Sequence, residues 1–178
     1  MNFVHSIHPL TDFLTENNFA ITKEEHHFIE YSKNSTVITI AYDNLEHAFY
    51  VHVGQSSKSL IELTPIVIKE IFGQDDLQFQ ATLTVDNLIS FLKNTGREII
   101  LGNEKIFDKL EEFSSQRSKE FTKQVTQLQN TLCADNAWKQ KDYSAFVKHI
   151  DRTEKGLLPE SYLKKYKIAL DKLKRKNE

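Results

Sequence analysis

Between Asn103 and about Leu132 the apolar residues are Ile106, Leu110, Phe113, Phe121, Val125, Leu128 and Leu132. Steps of three, four or their sums lay these side chains along one face of an α-helix. Lys105, Asp108, Lys109, Glu111, Glu112, Lys119, Glu120 and Lys123 supply a solvated face between them. At 1.5 Å per residue such a helix reaches roughly 45 Å, more than the width of a small domain. The spacing therefore predicts a spine, with an α+β part packed on its first portion and a short helical tail on its last.

Upstream, the pattern changes from helical to alternating. Pro9 suits a first-turn position, and Leu10, Phe13 and Leu14 predict a short helix from Pro9 to Glu16 that stops at Asn17-Asn18. Phe19 to Ile21 can start a short strand, and Lys23-Glu24-Glu25 reads as a polar turn. Three strands are expected at His26–Ser32, Thr36–Tyr42 and Glu46–Val53, the second β-branched and aromatic throughout. Turns as short as Lys33-Asn34-Ser35 and Asp43-Asn44 join neighbours antiparallel, so the strands form a meander. Along the third strand, His47, Phe49, Val51 and Val53 share one face and Ala48, Tyr50 and His52 the other. Leu60–Leu63 is a short fourth strand. Thr64-Pro65 caps a helix that ends at Gly73, and Thr84 caps another that ends at Gly96. Asp76 to Leu83 alternates and is expected to be extended. Ile99-Ile100-Leu101 is a short buried run.

Downstream of the spine, Asp142 caps a helix bearing Tyr143, Phe146, Val147 and Ile150. Pro159 opens a last helix with Tyr162, Leu163, Tyr166, Ala169, Leu170 and Leu173. The expected fold is α+β: an antiparallel meander with flanking helices in residues 1–102, then a long amphipathic helix and a C-terminal helical hairpin in 103–178, packed as one unit with the first part.

Composition narrows the function. With 39% hydrophobic and 27% charged residues the chain is expected to be globular and soluble. A formal net charge of −2 argues against whole-surface attraction to nucleic acid or anionic lipid. The basic run from Lys164 to Lys176 reads as positive charge at a helix C-terminus, favoured by the helix dipole. No apolar run is long enough for a signal or a membrane span, so an unsecreted, cytoplasmic protein is expected. Cys133 is the single cysteine, which excludes an intramolecular disulfide; beside Leu132 it reads as a small buried hydrophobe.

Catalytic signatures are absent from the sequence. It holds no G-x-S-x-G, no phosphate-binding glycine loop and no H-E-x-x-H. Its seven histidines show no local spacing that makes ligands converge, so neither a catalytic residue, a cofactor nor a metal is assigned. Tyr42, Tyr50 and His52 are the candidate partner-binding residues, because exposed aromatics on the second face of a sheet suit an interface core. The alternative is a small enzyme or metal-binding protein that brings His27, His47 or His52 together with Glu30 or Glu46. A third expectation is homo-oligomerisation, the spine of one copy seated on that of another.

Two stretches carry a resemblance: Tyr31–Asp43 leading to Phe49–Gly54, and Ala134–Tyr143. They are similar to patterns in small bacterial proteins of the immunity and accessory kind. The resemblance implies a cytoplasmic protein that binds another protein, in one case a toxin it neutralises, and transfers no functional residue. Trp138 and Tyr143 also resemble the helical hairpin of a tetratricopeptide unit, though no repeat period recurs.

Overall fold

A computed structural model describes residues 3–56, 59–73 and 84–175. They form α1 (Phe3–Glu16), β1 (Ala20–Glu25), β2 (Phe28–Lys33), β3 (Thr36–Asp43), β4 (Ala48–Gly54), β5 (Ile61–Glu62), α2 (Pro65–Phe72), α3 (Val85–Lys93), α4 (Arg97–Ile100), α5 (Glu104–Lys139), α6 (Tyr143–Ile150) and α7 (Glu160–Lys174). The fold is α+β. Two compact units divide within α5, Met1–Ser115 and Gln116–Glu178.

The first unit is built on a five-stranded antiparallel sheet in the order β1-β2-β3-β4-β5. Its register aligns Tyr31 with Ile38, Ile38 with Val53 and Val53 with Ile61; one step along, Ile29 meets Ile40 and Ile40 meets Val51. Because strand side chains alternate, these rows make one continuous apolar face. It shares a core with Leu10 and Leu14 of α1, Leu88 and Phe91 of α3, and Phe107 and Leu110 of α5. Each such buried aliphatic side chain contributes about 1.5–3 kcal/mol. Tyr31 is fully buried, and its hydroxyl shares a 2.6 Å hydrogen bond with Thr11 Oγ1.

Local chemistry accounts for the helix ends. Thr64 Oγ1 accepts from Val67 N at 3.3 Å with Pro65 in the first turn, and Gly73 closes α2 at φ 67°, a left-handed position that costs glycine nothing. Thr84 Oγ1 accepts from Asn87 N at 3.2 Å at the start of α3. Gly54 ends β4 where a Cβ would lie 2.1 Å from the Ser59 carbonyl oxygen, so only glycine fits there.

Several local expectations are corrected. Helix α1 starts at Phe3, not Pro9, and carries Pro9 inside it. Proline inside a helix costs about 3 kcal/mol, and burial of Phe3 and Ile7 in the core offsets it. Lys23-Glu24-Glu25 belongs to β1, an edge strand whose residues are all exposed; the turn is His26-His27. Charge along an edge strand discourages further pairing, so a polar triplet is at home there. His47 sits in the turn before β4 at φ 53° and is not on the strand with Phe49. Ile99 and Ile100 are buried on a single helical turn, whereas Leu101 is exposed. The extended segment expected at Asp76–Leu83 lies outside the described residues.

In the second unit the end of α5 packs with α6 and α7. Its core holds Ala134, Ala137, Phe146, Ile150, Leu158 and Ala169, bordered by Trp138, Tyr143, Tyr162 and Tyr166. Alanines let the helix backbones approach, while Trp138 fills the side of the cluster at 5.1 Å from the Phe146 ring. Asp142 Oδ1 caps α6, accepting from Ala145 N at 2.9 Å. The packed face of α5 differs from the expected one. It runs through Lys123, Gln127, Asn130 and Ala134: Gln127 Oε1 accepts from Glu154 N at 2.9 Å, and Lys123 pairs with Glu154 at 2.6 Å. Phe121, Leu128 and Leu132 stay exposed, at 67%, 61% and 56%, and Cys133 is exposed rather than buried.

Candidate functional site

The strand register separates the three candidate residues. Tyr42 pairs with Phe49 and lies on the core face, while Tyr50 pairs with Ala41 and His52 with Thr39, both on the opposite face. Tyr42 closes an aromatic group at one end of the sheet. Its ring is 5.1 Å from Phe49 and 6.4 Å from Phe3, and its hydroxyl is 3.3 Å from His47 Nδ1. His27 borders the same group, 6.3 Å from both Phe3 and Tyr42. Asn44 Nδ2 meets His27 Nε2 at 2.8 Å. The other ring nitrogen, Nδ1, is buried with no partner among the described residues.

The opposite face of the sheet is built differently. Cross-strand pairs put Glu25 beside Phe28, Lys23 beside Glu30, and His52 beside Glu62. Phe28, Tyr50 and His52 are half-buried, whereas Thr39 in the central strand is buried. Lys23 lies over the Phe28 ring at 5.2 Å and pairs with Glu25 at 2.8 Å. Thr22 Oγ1 donates to Glu30 Oε1 at 2.8 Å. Tyr50 donates its hydroxyl to Glu46, and that hydrogen bond holds the phenol up at about 12, so Tyr50 stays protonated and its ring stays fixed by the turn. Glu25, Glu30, Asp43, Glu46 and Glu62 against Lys23 make this face acidic, with two aromatic rings and an imidazole inside the acidic border.

The histidine and carboxylate combinations weighed from sequence divide among these sites. His27 and His47 flank Tyr42; Glu46 is bonded to Tyr50, Glu30 to Thr22, and His52 stands across from Glu62. Among the described residues no group of three or more His, Cys, Asp or Glu side chains is arranged to hold a metal ion. A small polar cavity of about 70 Å³ lies elsewhere, between Lys33–Thr36 and Ile100–Gly102, where Lys33 Nζ donates to the Ile100 carbonyl at 3.1 Å.

Two polar networks in the second unit are not apparent from sequence spacing. Tyr162 donates to Asp135 Oδ2 at 2.5 Å, and Lys165 Nζ lies 3.4 Å from Asp135 Oδ1. Burial first, then the Asp135 bond, raises the Tyr162 phenol to about 12. Lys155 Nζ meets Asp151 at 2.8 Å and the Tyr166 hydroxyl at 3.1 Å, and Tyr166 donates to Asp151 at 2.6 Å. The Lys155 and Tyr166 hydrogen bonds hold the Asp151 carboxyl below its ordinary value of 3.8. Their signal in the sequence is the pair Tyr162 and Tyr166 on the apolar stripe of α7, since a buried phenol needs a polar partner.

Fold and surface define an α+β protein with one sheet face committed to its core and a second on which Val37 and Thr39 are buried and Phe28, Tyr50 and His52 half-buried. No protein family, curated protein or solved structure matches the chain. Among the described residues no helix is long and apolar enough to cross a membrane.

Proposed function

We propose that this chain is a non-catalytic protein-binding protein, of the toxin-neutralising immunity or accessory kind, working in the cytoplasm. The observation that supports this reading is the outward sheet face: Phe28, Tyr50 and His52 inside a border of five carboxylates. Aromatic side chains at the centre with a charged rim are the composition of protein interfaces. Rim carboxylates steer a partner of opposite sign, so the partner surface is basic. A sheet face is also rigid, so little side-chain order is lost on binding; Tyr50 is already held by Glu46.

The test begins with affinity capture from the native lysate, using wild-type and Tyr50→Ala baits, and continues with the purified captured protein by calorimetry. The expected result is one stoichiometric partner. Its affinity falls about tenfold or more with Tyr50→Ala, as for an interface anchor, and weakens as salt rises. A partner bound equally by wild type, Tyr50→Ala and His52→Ala would remove the sheet face from the reading. Capture of nothing by the wild-type bait would remove the binding function itself.

A further inference from the structure

The second half of the α5 stripe, exposed at Phe121, Leu128 and Leu132 and half-buried at Val125, has a second property. Phe121, Val125, Leu128 and Leu132 are spaced four, three and four apart, the 3.5-residue repeat of helices that pack along a seam. Read from its centre, between Thr126 and Gln127, the segment is nearly the same in both directions. Phe121 mirrors Leu132, Val125 mirrors Leu128, Thr122 mirrors Thr131, and Gln124 mirrors Gln129. Within the second unit this stripe lies on the side of α5 away from Gln127 and Ala134, which face α6 and α7.

We propose that a second copy of this chain covers the stripe, the two α5 helices antiparallel about a two-fold axis through its centre. An isologous contact must be self-complementary, and a stripe that reads alike in both directions meets that condition. Antiparallel pairing sets Phe121 against Leu132 and Val125 against Leu128 of the second copy, which gives layers of more even volume than Phe on Phe beside Val on Val. The flanks fit as well. Thr122 of one copy faces Gln129 of the other, and Gln124 faces Thr131, so the residues that border the seam are uncharged and no like charges meet. The Thr122 and Thr131 hydroxyls donate to the carbonyls of Ser118 and Gln127, each at 2.8 Å, which leaves their oxygens to accept from the glutamine amides. Two copies joined along two heptads bury roughly 1,000 Å² in total, at the lower limit for a specific interface, so the dimer is weak and reversible.

Sedimentation equilibrium of the full chain, from about 1 to about 300 µM, tests this. The expected wild-type behaviour is a rise from the 20.7 kDa monomer to twice that mass, with a micromolar dissociation constant. Leu128→Glu weakens association at least about tenfold with an unchanged far-ultraviolet spectrum, since Leu128 is exposed in the monomer. Two further variants fix the orientation without touching an apolar residue. Thr122→Lys with Gln129→Lys sets like charges opposite one another and dissociates the dimer. Thr122→Lys with Gln129→Glu sets opposite charges there and restores it. A wild type that stays monomeric over the whole range overturns the proposal. Association that survives Leu128→Glu places the contact elsewhere and also overturns it. Failure of the lysine–glutamate pair to restore association overturns the antiparallel arrangement.

Discussion

Tyr42 and Tyr50 are eight residues apart in sequence and sit on opposite faces of one antiparallel pair of strands. Their environments decide what a truncation does. Tyr42 packs on Phe3 and Phe49, so Tyr42→Ala removes a ring from the edge of the core; the expected loss of stability is about 2–4 kcal/mol in urea unfolding. Tyr50 leans on the exposed Glu46, and Tyr50→Ala is expected to shift the urea midpoint clearly less than Tyr42→Ala does. Equal and large losses from both would show that the outward face is structural and would leave the proposed interface without its anchor. His27 is the residue whose chemistry and surroundings disagree most: its Nδ1 is buried with no partner among the described residues, a situation that costs about 1–3 kcal/mol. His27→Phe removes that polar atom and keeps a ring beside Phe3 and Tyr42. His27→Phe also removes the acceptor of Asn44; the expected outcome is equal or higher stability, read from the urea midpoint, and a clear drop would mean that the Asn44–His27 hydrogen bond outweighs the cost of the unpartnered Nδ1.

At the scale of elements, side chains anchor the helices of the second unit. Asp142 caps the start of α6, and Asp142→Ala is expected to lower stability by about 1 kcal/mol in thermal unfolding followed by circular dichroism. The Tyr162–Asp135 bond ties α7 to α5 and makes a pH signature. A phenol raised in the folded state contributes stability that is complete below its ordinary value of 10.0 and is lost as pH climbs toward about 12. The melting temperature of the wild type should therefore fall above pH 10 more steeply than that of Tyr162→Phe, which has no proton to lose; parallel curves would deny the bond a role. Asp151 works at the other end of the scale. Its lowered carboxyl contributes stability present above its ordinary value of 3.8 and lost as pH falls further, though its exposure keeps the effect small.

For the whole molecule, α5 belongs to both compact units, and the residues from Ser114 to Gln124 are all exposed. Helical hydrogen bonds without packing open easily. Amides at 114–120 should exchange with deuterium at least about tenfold faster than those at 106–110 or 134–138, as read by mass spectrometry. Equal protection would mean that this stretch is covered in solution. Much of the architecture was written in local chemistry. The β-branched run Thr36–Tyr42, the short turn at Lys33–Ser35, the threonine caps at 64 and 84, and Asp142 each act over a few residues, so the meander and most helix ends were legible from spacing and residue type. Alternation within a strand was legible too, as in Phe49, Val51 and Val53 against Tyr50 and His52, but cross-strand register put Tyr42 on the core face and the turn took His47 off the strand. What the chain covers was not legible. Whether Phe3 repays a proline in α1, whether a charged triplet is a turn or an edge strand, and which half of the α5 stripe meets a partner depend on residues distant in sequence. Seven apolar positions shared one helical period, yet the core of the first unit takes Ile106 and Leu110 and the second unit packs on a different face. Periodicity fixes which side chains lie together on a helix; only the three-dimensional packing decides which of them lose their water.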